Sequence, residues 1–228
     1  MIKSNDKKIF KNSFDYWIFD LDNTLYDINL RLFNKISKRI TFFIIEHLKL
    51  SEKKAKILQR KLYLKYGLTL RGLIIENNID PDPFLDFVHD VKHPELKIDY
   101  ELIKLLTHII GKKYIYTNAS YCHAKNILST LGVFELFDGI LDIKKTNYIP
   151  KPDMKSYQIM KKMFHLNQFN INKSIFIEDT IDNLMPAKKI GMTTVWIENK
   201  LNDVNLKKKL TSVDYSFTNI KSFLKFIN

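Results

Sequence analysis

The 228-residue sequence contains one cysteine, Cys122, only six glycines and six prolines, and four arginines against a large lysine excess. A single cysteine cannot close a disulfide within the chain or build a Cys-based zinc site. A disulfide-stapled secreted scaffold and a zinc finger are therefore excluded, Cys122 is expected to be a spectator, and a reducing compartment is the expected home. The glycines, at 67, 72, 111, 132, 139 and 191, are too scattered for a GxGxxG dinucleotide loop. Gly67 and Gly72 have P-loop spacing, but Leu73 stands where that loop needs lysine. No stretch approaches the roughly 20 apolar residues of a membrane helix, and residues 1–14 lack the apolar core of a signal peptide. A soluble, cytoplasmic protein with no membrane partner is expected.

Charge poses the next question, because Lys+Arg 37 against Asp+Glu 25 gives a formal net charge of +12. A basic nucleic-acid-binding protein without catalysis is one reading. Against it, the arginines are Arg31, Arg39, Arg60 and Arg71 alone, and arginine's bidentate fork is what specific phosphate and base readers lean on. No nucleic-acid motif accompanies the lysines, and a broad compositional bias toward Lys, Ile and Asn accounts for the excess. No nucleic-acid partner is expected.

What the chain does have is 45% hydrophobic content, enough for a sizeable core. Residues 16–20 (YWIFD) read as a buried strand that stops at a polar edge. Helical spacing follows at 30–48 and 51–66, then helix-compatible pieces at 70–76 and 84–91, broken by Pro81, Pro83 and Pro94. From the helix candidate 99–110 onward the rhythm changes. Strands at 113–116, 139–141, 174–177, 193–197 and 215–217 alternate with helices at 121–131, 153–164, 182–190 and 220–226. That alternation predicts an α/β fold: a Rossmann-like parallel sheet core flanked by helices, at 1–27 and 99–228, with an all-α insert at 28–98.

Ligands of an open parallel sheet bind beyond the carboxyl ends of its strands. Polar groups fall there repeatedly: Asp20-Leu21-Asp22-Asn23-Thr24, Thr117-Asn118-Ala119-Ser120 and Glu178-Asp179-Thr180, with Lys151 between two prolines ahead of a helix. Asp20, Asp22, Glu178 and Asp179 would crowd like charges into one cleft. A hard divalent cation relieves such crowding, and oxygen-only ligands favour Mg²⁺. The Thr117 hydroxyl, the amides at 118–121 and the Lys151 charge together suit a dianion. Asp20 can then attack phosphorus while Asp22 moves the leaving-group proton.

The order of these elements, opened by Asp-x-Asp-x-Thr, resembles the haloacid dehalogenase superfamily of phosphohydrolases over nearly the whole chain. The resemblance implies that Asp20 is a nucleophile forming an aspartyl-phosphate and Asp22 the general acid and base. It also implies Mg²⁺ held by the Asp20 carboxylate, the Asp22 backbone carbonyl and Asp179, with Glu178 assisting and with Thr117, Asn118 and Lys151 on the phosphoryl group. The insert then corresponds to a small helical cap. DLDNTLYD (20–27), YGLTLRGL (66–73) and FVHD (87–90) further resemble the pyrimidine 5′-nucleotidase branch, which implies a nucleotide substrate and places Arg71, His89 and Asp90 near it. Glu178 departs from the aspartate often found first in the acidic pair.

Alternatives stay open on sequence grounds. A dehalogenase shares the aspartate nucleophile but needs neither the second aspartate nor Mg²⁺. Phosphoglycolate, a sugar phosphate or a phosphomutase reaction would use the same core. His89 and His93, four apart beside Pro94, read as surface residues rather than metal ligands. Tyr63, Tyr66, Phe84 and Phe87 read as cap packing, with a base-stacking platform as the rival. Oligomeric state is open.

Overall fold

The computed structural model describes residues 13–27, 30–91, 96–198 and 210–228. Its centre is a six-stranded, all-parallel sheet in the order β3-β2-β1-β4-β5-β6. The strands are β1 (Tyr16–Phe19), β2 (Lys112–Tyr116), β3 (Gly139–Leu141), β4 (Ser174–Glu178), β5 (Thr193–Ile197) and β6 (Tyr215–Phe217). β1 and β4 are rich in aromatic and β-branched residues because both of their faces are covered.

Side chains alternate across the sheet. Trp17, Phe19, Ile115, Ile177 and Val195 enter one core with helices α5 (Tyr100–Thr107), α6 (Tyr121–Leu131) and α9 (Ile220–Ile227). Ile18, Tyr116, Leu141 and Phe176 enter a second core with α7 (Met154–Met163) and α8 (Ile181–Lys189). Register fixes the site: Phe19 lies opposite Ile115 on β2 and Ile177 on β4. The next residue of β1, Asp20, therefore stands level with Tyr116 and Glu178 at the carboxyl edge, and its amide donates to the Ile177 carbonyl at 2.9 Å.

Between β1 and α5 lie four helices, α1 (Leu30–Leu48), α2 (Glu52–Tyr66), α3 (Thr69–Asn77) and α4 (Pro81–His89). They share a third core of Phe43, Ile44, Leu62, Leu70, Leu73 and Phe84, into which Ile143 reaches from the loop after β3. Pro81 and Pro83, expected to break the helix, instead lie in the first turn of α4, where the missing N–H costs nothing and the Asp80 side chain accepts from the Asp82 amide. Among the described residues no helix is long and apolar enough to cross a membrane.

Gly72 marks the tightest seam of the cap. A Cβ there would come within 2.7 Å of Leu62 Cβ and 2.9 Å of Tyr66 Cδ2, so α2 and α3 approach only because the atom is missing. Gly72→Ala gains about 1 kcal/mol of helix propensity but incurs about 1–3 kcal/mol of overpacking. The expected outcome is a lower thermal midpoint; an unchanged or raised midpoint would show that the seam can open without cost.

Candidate active site

The segment after β1 folds back on itself. Asn23 takes a left-handed conformation at φ 64°, which asparagine tolerates, and the Leu25 amide donates to the Leu21 carbonyl at 3.0 Å. The turn brings the Thr24 hydroxyl to Asp20 Oδ2 at 2.9 Å and the Tyr26 hydroxyl to Asp22 Oδ1 at 2.5 Å. One tight turn thus orients both aspartates.

Asp20 is buried (6% exposed) and shares a cation with Glu178 (1% exposed). Lys151 Nζ, itself only 2% exposed, donates to Asp20 Oδ1 at 2.7 Å, Glu178 Oε2 at 2.7 Å and the Tyr116 carbonyl at 2.9 Å. Those bonds use all three ammonium donors. Sequence reasoning placed Lys151 on the phosphate; in the structure its ammonium group bonds both carboxylates. Asn118, also expected on the phosphate, holds the lysine loop: its Nδ2 donates to the Lys151 carbonyl at 3.2 Å and its Oδ1 accepts from the Lys151 amide at 2.8 Å.

Asp20, Glu178 and Asp179 bring carboxylate oxygens within 4.8 Å of one another. One lysine against three carboxylates leaves an excess of negative charge that a divalent cation would cancel, and the all-oxygen donor set fits Mg²⁺. Burial and the neighbouring Glu178 push the Asp20 carboxyl up to about 7, Lys151 opposing them. Burial and Asp179 likewise push Glu178 up to about 7. The Asp179 backbone is pinned through its carbonyl, which accepts from Trp196 Nε1 at 2.8 Å.

Asp22 turns its carboxylate away from this cluster, to Tyr26 and His123. His123 Nε2 donates to Asp22 Oδ1 at 2.9 Å. Burial acts to raise Asp22, but the His123 charge and the hydrogen bonds from His123 and Tyr26 outweigh it and hold the carboxyl down at about 2. Burial acts to lower His123, and Asp22 overrides it in the upward direction. Sequence reasoning missed His123 and Tyr26. Tyr26 carries a faint signal, four residues after Asp22; His123 carries none, because only the packing of α6 beside β1 brings it there.

The α6 N-terminus offers fewer free amides than its sequence suggests. The Tyr121 amide donates to Asp142 Oδ2 at 3.0 Å and the Ala119 amide to Thr117 Oγ1 at 3.0 Å. The Thr117 hydroxyl proton stays available to a ligand, since that oxygen acts here as acceptor.

The three cap residues separate. Arg71 Nη1 donates to the Tyr148 carbonyl at 3.1 Å and joins cap to core. Asp90 is 86% exposed at its side chain and faces Arg39 at 3.6 Å, outside the cleft. His89, placed near the substrate by the resemblance and read as a surface residue rather than a metal ligand, turns inward: its Nδ1 lies 3.0 Å from Ser120 Oγ and its ring centroid 4.8 Å from that of His123. His93 lies outside the described residues. Phe84 packs edge-on against Phe43 and Phe87 stacks on Phe42, so both pack within the cap, and Phe84 also lines the cavity beside it. Cys122 is exposed. Beside the site the cap encloses a cavity of about 560 Å³, with Ile36, Ile40, Leu70 and Phe84 among its walls and His89 and Asn118 where it meets the core.

A family model for haloacid dehalogenase-like hydrolases matches residues 15–191. The chain belongs to that family. Phosphate metabolism protein 8 of Saccharomyces cerevisiae is 29% identical over 191 residues, covering 77% of this chain and 59% of the yeast protein. The chain thus spans about three fifths of that relative's length. The magnesium-bound HAD-hydrolase YfnB of Bacillus subtilis is similar at 15% identity with a TM-score of 0.61, covering 95% of this chain and 100% of its own. A HAD phosphatase of Thermococcus onnurineus is similar at 18% identity and TM-score 0.61, over 94% and 98%. The L-2-haloacid dehalogenase of Xanthobacter autotrophicus shares the fold at 12% identity and TM-score 0.55, over 94% and 98%. The fold therefore admits both chemistries, and the choice between them rests on this hydrolase's own residues.

Removing the Lys151 cation would leave Asp20 and Glu178 facing each other in a buried site. Lys151→Met is expected to cost about 3–5 kcal/mol in urea unfolding measured with a chelator present, with part of the loss recovered by Mg²⁺. A loss under about 1 kcal/mol, the size of an exposed pair, would refute the buried neutralising role.

Proposed function

We propose that this hydrolase cleaves phosphate monoesters with Mg²⁺ through an aspartyl-phosphate on Asp20. The observation that carries the reading is the triad of Asp20, Glu178 and Asp179 at the strand ends, with Asp22 held separately by His123. A dehalogenase needs no such set of carboxylates.

Mg²⁺ would be held by the Asp20 carboxylate, the Asp22 backbone carbonyl and Asp179, with Glu178 assisting, and would supply charge neutralisation of the phosphoryl oxygens. The chain's own groups do the rest. Lys151 and Thr24 hold the Asp20 carboxylate in place through both of its oxygens. The Thr117 hydroxyl donates to a phosphoryl oxygen. Asp20 forms a bond to phosphorus as the bond to the leaving oxygen breaks, and that oxygen takes the electron pair and a proton through Asp22. Water then attacks phosphorus, gives a proton back through Asp22, and releases phosphate and free Asp20.

The substrate's organic part would extend into the cap cavity, whose volume lies within the ordinary range for small-molecule sites. A nucleoside 5′-monophosphate, pyrimidine in preference, is the reading the cap motifs support; its base would rest on the apolar wall of Leu70 and Phe84. A phosphoglycolate or sugar-phosphate substrate is the competing occupant.

Asp20→Asn should keep the fold, by circular dichroism, and lose turnover of a generic phosphate ester by at least about 10³-fold; retained activity sinks the nucleophile assignment. Chelation should abolish activity and added Mg²⁺ restore it, and turnover that survives the chelator returns the dehalogenase reading. In a screen of nucleotides, sugar phosphates and phosphoglycolate, faster turnover of UMP and CMP than of AMP and GMP is expected. Preference for phosphoglycolate or a hexose phosphate removes the nucleotide assignment.

A further inference from the structure

We infer that His123, braced by His89 of the cap, is a positioning residue that fixes the Asp22 carboxyl for proton transfer to the leaving group. The inference rests on the phosphohydrolase reading above and adds two residues to it, one from each side of the cap–core seam.

The geometry is a short strut. His123 sits in the first turn of α6, where its amide donates to Ser120 Oγ at 3.3 Å, and its side chain is 3% exposed. Its Nε2 meets Asp22 Oδ1, and so does the Tyr26 hydroxyl. Two donors on Oδ1 stop rotation of the carboxyl about its Cβ–Cγ bond and leave Oδ2 as the oxygen to exchange the proton. A carboxyl held within a small angular range exchanges a proton efficiently; one free to turn spends most orientations away from the leaving oxygen.

The brace comes from the cap. His89 is the last residue of α4, and its ring lies over that of His123 at an interplanar angle of 30°. It also lies within hydrogen-bond distance of the same Ser120 oxygen that caps α6. Since His89 also lines the cap cavity, the wall that meets the substrate is one residue removed from the group that orients the proton donor.

Leaving-group dependence separates this role from a merely structural one. Phenyl phosphate and 2,4-dinitrophenyl phosphate present similar rings to the cap, but phenolate needs a proton as it departs and dinitrophenolate does not. The quantity to compare is kcat/KM, which reports the step that expels the leaving group, measured with Mg²⁺ for the wild type, His123→Ala, His123→Gln and His89→Ala. General acid help is typically worth 10²–10⁴-fold. In His123→Ala the loss on phenyl phosphate should exceed the loss on the dinitrophenyl ester by about 30-fold or more. His123→Gln, which restores an N–H donor near the same place, should recover most of that difference. His89→Ala should show the same bias at about 5–10-fold.

Equal losses on the two esters in every variant overturn the inference and leave His123 a packing residue. If His123→Ala fails to fold, the ratio in His89→Ala decides, and an unchanged ratio there overturns it. A wild-type enzyme that turns over neither ester defeats the phosphohydrolase reading itself, and this inference with it.

Discussion

One buried ammonium group organises the carboxyl edge of this hydrolase's sheet. Lys151 stands between Asp20 and Glu178 with almost no access to water, and its third donor closes on the carbonyl of Tyr116. Taking these charges out of water is costly, and the arrangement survives because every donor is matched and the carboxylates lie close enough to repay the desolvation. Asn118 fixes the lysine loop through two bonds to its backbone, so the strand end after β2 supports the cation that serves the strand ends of β1 and β4.

That balance is incomplete. Three carboxylates meet one cation; burial and Glu178 push Asp20 up, and burial and Asp179 push Glu178 up. Asp22, two residues from Asp20 in sequence, is pulled the opposite way by His123 and Tyr26. The two aspartates thus sit in opposed electrostatic surroundings, and the turn at Asn23 makes the separation possible by sending the two carboxylates to different partners.

The cap contributes shape and contact instead of charge. Its own hydrophobic core lets four short helices stand as a unit, and Ile143 and the Arg71 bond to Tyr148 seat that unit on the sheet. The cavity beneath it is mostly apolar, and His89 reaches from it to the core, 3.0 Å from Ser120 Oγ.

Much of this was legible in sequence. The parallel α/β core followed from alternating short apolar runs and helical periods, and Asp20, Glu178 and Asp179 from their places just after strands. Those features are local: periodicity and strand-end position are properties of neighbouring residues. The start of α4 was misjudged because prolines that break a helix interior are favoured in its first turn. Residues joined by packing alone stayed hidden. His123 is 101 positions from Asp22, Lys151 131 positions from Asp20, and the inward turn of His89 depends on how the cap sits. The sequence by itself determined which groups stand at the strand ends; the tertiary structure decided which of them meet. Strand register and helix docking set distances of a few ångströms between residues a hundred apart, and no local pattern encodes those distances.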